Sequence, residues 1–199
     1  MATDDRDDQD PYVYPGTAVL KNKLGLIDPD TLQQAELRLA LIGERRIPTL
    51  SPDETGLRDA HRFLFGRIYE WAGEFRTCEL AKEQSLFCRP QFIQGALNDT
   101  FQDLASEQFL NGVDQATFAK RAAYYHGELN AIHPFREGNG RALRVWLAHL
   151  ARQSGYDLMM RRMDRESWLH ASRESMKGNL GPMRELLRGA LKRSTSRSP

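Results

Sequence analysis

The chain is poor in the features that mark nucleic-acid, membrane or metal proteins. Its 28 Lys and Arg residues almost cancel 27 Asp and Glu, for a formal net charge of +1, so no strong positive field gathers a polyanionic strand. A small basic group, Arg38, Arg45 and Arg46, fits a solvated helix face better than a DNA-binding helix pair, and direct nucleic-acid binding is not expected. There is no run of about eighteen apolar residues, the length a spanning helix needs. The opening Met1-Ala2-Thr3-Asp4-Asp5-Arg6-Asp7-Asp8 is acidic where a secretory signal is basic and then apolar. Cysteine is limited to Cys78 and Cys88. They could pair across a hairpin, yet two thiols make a poor disulfide framework, so reduced thiols and a cytoplasmic location are expected. The five histidines, His61, His126, His133, His149 and His170, have no HxH, HxxxH or Cys/His spacing of the kind that holds zinc.

Repeats and long linkers are also missing, and 199 residues suit one well-buried core better than two domains. The expected organisation is an acidic mobile tail over 1–10, one domain over 11–192, and a basic mobile tail over 193–199. Helical spacing of Leu32, Ala35, Leu39 and Ile42 predicts a helix from Asp30. Leu57, Ala60, Leu64, Ile68 and Trp71 predict a second over 53–71, ended by Gly73. Residues 75–88 lack helical periodicity and have the length of a hairpin. Further helices are predicted from Pro90 through Phe92, Ile93, Leu97, Phe101 and Leu104, from Asp114 to Ile132, from Arg141 to Gln153, near 164–177 and over 181–192. The fold class is therefore mainly α, a helical core with one small β-hairpin.

Chemistry concentrates in His133-Pro134-Phe135-Arg136-Glu137-Gly138-Asn139-Gly140-Arg141-Ala142-Leu143-Arg144. Gly138 and Gly140 can adopt angles closed to other residues, letting successive N–H groups converge on one anion. A helix starting near Arg141 points its positive end at the same place. Glu137 has the wrong charge to touch phosphate but suits a divalent cation bridging phosphate oxygens. Arg141 and Arg144, three apart, share a helix face and reach outer phosphates. His133 has an intrinsic pKa suited to taking a proton from a hydroxyl. Phe135 is expected to plug into the core and fix the loop, and Arg136 to lie in solvent.

These residues spell HxFx(D/E)GNGRxxR, and the sequence resembles the Fic family, whose members mostly transfer AMP from ATP to a protein hydroxyl. Asp10 to Thr17, Leu20 to Gly25, and Ile68-Tyr69-Glu70-Trp71-Ala72-Gly73-Glu74-Phe75-Arg76 are similar to short bacterial Fic proteins of the cell-filamentation type. The resemblance thus spans about residues 10 to 190. It implies the Fic fold, with a hairpin flap beside the active-site loop, and these roles: His133 as general base, Glu137 holding Mg²⁺ between α- and β-phosphates, Gly138, Asn139 and Gly140 lining the anion hole, Arg141 at the β-phosphate and Arg144 at the γ-phosphate. It also implies that the flap, through Glu79, Leu80, Ala81 and Lys82, docks an extended target segment by strand addition. ATP and a target protein are the implied partners, with type II topoisomerases among the targets of the family's short toxins.

Many Fic proteins silence themselves with a helix bearing (S/T)xxxE(G/N), whose glutamate pairs with the second motif arginine. Glu36 and Glu44 follow Leu32 and Ala40 at that spacing, Glu174 and Glu185 follow His170 and Gly181, and Ser175 leads to Asn179. No self-inhibitory motif is present, which implies a toxin restrained by a separate antitoxin that supplies the helix. Two other readings are open: a Doc-like kinase moving the γ-phosphate, disfavoured because the GNGR residues are intact, and a catalytically silent module binding nucleotide or a partner.

Overall fold

The computed structural model describes residues 10–82 and 85–194. Seven α-helices dominate the described residues: α1 (Pro29–Glu44), α2 (Glu54–Phe65), α3 (Ile93–Ser106), α4 (Gln115–Ile132), α5 (Asn139–Gln153), α6 (Arg165–Met176) and α7 (Gly181–Ala190). Four begin on an aspartate whose side chain accepts main-chain N–H groups of the first turn: Asp28 for α1, Asp53 for α2, Asp114 for α4 and Asp164 for α6. Two antiparallel pairs complete the fold. Strands β1 (Ala81–Lys82) and β2 (Ser85–Leu86) form the flap, and β3 (Tyr156–Leu158) pairs with β4 (Leu191–Arg193).

The mainly α expectation holds, with four local differences. First, α1 buries Leu32, Glu36, Ala40 and Gly43, leaving Ile42 40% exposed. The cause is the crossing with α2: a Cβ on Gly43 would lie 2.1 Å from the Phe63 carbonyl oxygen, so the helices touch at Gly43 and the buried stripe turns away from Ile42. Second, α2 stops at Phe65 and the chain continues through turns to Gly73. Gly66 weakens helix propagation, and the Phe65 carbonyl accepts from both Ile68 and Tyr69. Ile68 and Tyr69 are nevertheless buried, so apolar spacing outlasts the helix. Third, the segment beginning at Pro90 opens as a 3-10 turn that leaves Phe92 59% exposed, outside the core. Fourth, β3 and β4, separated in sequence by α6 and α7, form a second antiparallel pair where only the flap hairpin was expected.

The expected tails fall mostly on residues 1–9 and 195–199, outside the described residues. Their inner edges differ from expectation. Asp10 Oδ2 accepts from Arg136 Nε and a terminal nitrogen at 2.9 and 2.6 Å, so Arg136 is paired rather than solvated. Arg193 belongs to β4, and Ser194 N–H donates to the Gly155 carbonyl.

The core gathers Leu57, Leu64 and Phe65 of α2, Leu97 and Leu104 of α3, Phe118, Ala122 and Tyr125 of α4, and Leu143, Trp146 and Leu150 of α5. Packing of α5 against both α2 and α4 fixes the segment that joins α4 to α5, which is the motif loop.

Candidate active site

His133 ends α4 in the left-handed conformation, φ 51° and ψ 61°. An L-residue held there costs about 1–2 kcal/mol, which its surroundings must offset. Its N–H donates to the Leu129 carbonyl at 3.1 Å, and Arg76 Nε donates to its carbonyl at 2.8 Å. The ring is oriented by Nδ1, 3.1 Å from the Asn130 carbonyl oxygen. A carbonyl only accepts, so Nδ1 carries the proton and Nε2 is the acceptor, the form a general base requires.

Arg76 is the hub of this region. It is 2% exposed, and its guanidinium donates to the carbonyls of His133, Ile132, Cys78 and Cys88. Four carbonyl dipoles replace a counter-carboxylate, and burial lowers its pKa from the ordinary value. Its main-chain N–H donates to Pro134 O at 2.8 Å. Both arms of the flap are therefore tied to the catalytic loop at their base.

Within the loop, Phe135 is fully buried, as expected, and full burial of such a ring is worth about 1.5–3 kcal/mol. Asn139 braces it: Oδ1 accepts from Phe135 N–H at 2.9 Å and Nδ2 donates to Phe135 O at 2.7 Å. The Asn139 side chain is thus a loop staple, and only its main-chain amide is placed to meet an anion. His61, on the buried face of α2, stacks on Phe135 with ring centroids 3.9 Å apart. Its Nδ1 accepts from Gly73 N–H, which places the proton on Nε2 to donate to Glu137 O at 2.9 Å. Burial holds the His61 pKa down at about 3, so the imidazole stays neutral and this tautomer persists.

Gly138 has φ +81°, and a Cβ there would sit 2.4 Å from the Phe65 ring. Both facts demand glycine. Gly140 differs from expectation, because it lies inside α5 with ordinary helical angles, and a Cβ there would meet only Trp168 Nε1 at 4.0 Å. Protein packing leaves that space open, beside the Asn139 and Gly140 amides that have no intrahelical acceptor. α5 starts at Asn139, two residues before the expected Arg141, and its cap residue Gly138 offers no side-chain cap. The geometry makes an anion cradle.

Around the cradle, the Glu137 side chain is half exposed and accepts from Gly138 N–H at 2.8 Å. Arg141 lies 3.7 Å from Glu137 and over the Phe65 ring at 4.5 Å. It also donates to Glu36 Oε1 of α1 at 2.5 Å, while the Tyr69 hydroxyl donates to Glu36 Oε2. Burial, then this bond, raises the Tyr69 pKa. Arg144 stands over Trp168 at 5.4 Å and donates weakly to Met163 O at 3.4 Å. Its Nε is buried without a hydrogen-bond partner, and it forms no ion pair among the described residues. No group of three or more metal-ligating side chains occurs among the described residues. Mg²⁺ at a phosphate site needs only one or two carboxylates, the remainder coming from phosphate and water, and Glu137 fits that requirement.

The structure therefore places His133 at the end of α4, Glu137 and Gly138 on the loop that follows, and Gly140, Arg141 and Arg144 on the first turns of α5. Glu79, Leu80, Ala81 and Lys82 lie on the flap's first arm, where the Leu80 carbonyl is already engaged by Phe87 N–H at 3.3 Å. Sequence reasoning missed Glu36, His61, Tyr69 and the role of Arg76. The available signal was the same for Glu36 and His61: a titratable residue in the register of an apolar stripe.

Residues 51–151 match the Fic/DOC family. The chain is 41% identical over 90% of its length to protein adenylyltransferase VbhT of Bartonella schoenbuchensis, of which it spans 38%. It is 37% identical over 88% of its length to the probable protein adenylyltransferase y4lH of Sinorhizobium fredii, spanning 92% of that protein. The crystal structure of the Bartonella tribocorum effector BepC with bound AMPPNP superposes with a TM-score of 0.84 at 27% identity, covering 92% of this chain and 97% of that one. With its motif loop built on the same helical frame, this chain belongs to the Fic/DOC family.

Proposed function

We propose that the chain transfers AMP from ATP to a hydroxyl side chain of a target protein. The observation that carries this reading is the open start of α5, where unpaired amides and the space above Gly140 lie one short loop from His133 and one turn from Arg141 and Arg144. A triphosphate laid along the cradle puts its outer phosphates against Arg141 and Arg144. His133 Nε2 takes the proton of the target hydroxyl as its oxygen attacks the α-phosphorus. The bond from that phosphorus to the bridging oxygen breaks, and pyrophosphate leaves with its charge held by the two arginines and the α5 amides. Glu137 would hold Mg²⁺, which when bound supplies neutralisation of the phosphate charge. Positioned proton transfer is worth about 10²–10⁴ in rate. The relatives named protein adenylyltransferase and the AMPPNP-bound structure support AMP transfer as the reaction.

The test uses purified protein, Mg²⁺ and bacterial lysate with ATP labelled at the α- or the γ-phosphate. Label entering protein from the α position alone is expected, and His133→Ala should abolish it while ATP still binds. Label from the γ position alone would make the chain a kinase and overturn the reading, and no label at either position would favour a silent binding module.

We also infer a growth-inhibiting toxin acting in the cytoplasm, restrained by a small antitoxin that supplies a blocking helix in trans, with type II topoisomerases as the target class. Supporting this is the carboxylate arrangement: Glu36 of α1 reaches Arg141, while Arg144, the γ-phosphate arginine, makes no ion pair among the described residues and feels Glu44 of α1 only through space. Expression of the chain alone should arrest growth in a His133-dependent manner, and co-expression of a small neighbouring gene product should relieve the arrest. Normal growth with demonstrably active enzyme in the cell would sink this regulatory reading.

A further inference from the structure

The flap does more than border the motif loop. Its return arm carries Phe87, whose ring lies flat against the His133 imidazole with centroids 3.8 Å apart and planes 14° from parallel. Side chains alternate along an extended arm, and the neighbouring Leu86 is 79% exposed, so one residue turns outward while the next covers the base. We propose that Phe87 is a positioning residue for His133, making the flap part of the proton-transfer machinery.

The geometry explains why such a contact is needed. The Arg76 bond to the His133 carbonyl fixes the main chain, and the Nδ1 bond to Asn130 fixes one point of the ring. The imidazole turns about the Cα–Cβ and Cβ–Cγ bonds, and rotation about them swings Nε2 through an arc. A flat aromatic surface at stacking distance stops that rotation. Arg76 keeps the surface in register, because the same guanidinium that holds His133 also holds the carbonyls of Cys78 and Cys88 at the feet of the flap. Phe87 is next to Cys88, one residue from that anchor. The base and the flap arm beside it therefore form one rigid unit, and a displacement of the flap would misplace the proton acceptor even with ATP correctly bound.

This inference rests on the AMP-transfer reading, and its test separates the two. In Phe87→Leu the side chain stays apolar but the flat ring is gone; in Phe87→Tyr the ring is kept. The Leu variant should lose roughly 10- to 100-fold in the rate of AMP transfer into lysate protein, the scale of a small misplacement of a reacting group. Its KM for ATP and melting temperature should match the wild type, and the Tyr variant should recover most of the rate. In parallel, ¹H–¹³C NMR of the full chain reads the stack without any reaction: the His133 ring C–H resonances, assigned by their loss in His133→Ala, should be shifted upfield by the Phe87 ring current and return toward ordinary positions in Phe87→Leu. A Leu variant that transfers AMP at the wild-type rate, a Tyr variant as slow as Leu, or unshifted His133 resonances would each overturn the proposal. If wild type transfers no AMP while the resonances shift as expected, the positioning contact stands and the AMP-transfer reading fails.

Discussion

At Glu36 a carboxylate occupies a position that helical spacing assigns to a core aliphatic, between Leu32 and Ala40. Removing a charged group from water is costly, and such a residue persists only when its oxygens are satisfied. Here Tyr69 takes one oxygen and Arg141 the other. The ion pair holds Arg141 by one side of its fork, and the Phe65 ring supports its face at 4.5 Å. A guanidinium restrained in this way loses less entropy on meeting a phosphate than a free one. Glu36→Gln keeps the shape and the Tyr69 contact but removes the charge. The expected result is a KM for ATP raised about tenfold, equivalent to ~1.4 kcal/mol, with a small change in kcat. Steady-state AMP transfer across an ATP range, checked by calorimetric titration of a non-hydrolysable analogue, measures this. Tighter nucleotide binding in the Gln variant would instead mean that Glu36 competes with phosphate for Arg141.

Among the elements, helices were the most legible part of the sequence because their starts are chemically marked. Asp114 and Asp53 cap α4 and α2 as residue type and spacing suggest. The motif loop was legible for a different reason: its residue types are those that phosphate chemistry needs, at a density no structural role explains. What escaped was whatever depends on a contact distant in sequence. The α1 stripe is rotated by the close approach of Gly43 to Phe63, a fact of helix crossing and not of α1 itself. The pairing of β3 with β4 joins residues 156–158 to 191–193, and strands of three residues carry too little periodicity to be distinguished from loop. Arg76 reads as a surface cation until the carbonyls that surround it are brought together by folding. Gly140 shows the opposite case, since its glycine was legible while the reason was not: the open space beside it matters, and its backbone angles are ordinary.

For the molecule as a whole, the two most deeply buried histidines link stability to pH. His61 is locked between the Glu137 carbonyl and the Gly73 amide, and His126 packs edge-on to Trp168 of α6 at 4.9 Å. Burial holds both at a pKa of about 3 in the folded chain, against about 6.5 when unfolded. Above pH ~6.5 both states carry neutral imidazoles and the linkage vanishes. As pH falls below that value the unfolded chain takes up protons that the native core refuses, so stability declines until the folded pKa is reached. At pH ~5 each histidine accounts for about 2 kcal/mol of lost stability, so the pair removes a large part of the ~5–15 kcal/mol typical of a domain. Urea unfolding at pH ~7.5 and ~5 should therefore show a clear drop in midpoint with an unchanged m-value. Replacing His126 by Leu, away from the motif loop, should remove about half of that drop while His61 supplies the rest. A wild-type midpoint that stays level across this window would show that the native core admits imidazolium. In that case the neutral His61 tautomer assigned beneath Glu137 would have to be abandoned together with the pH dependence.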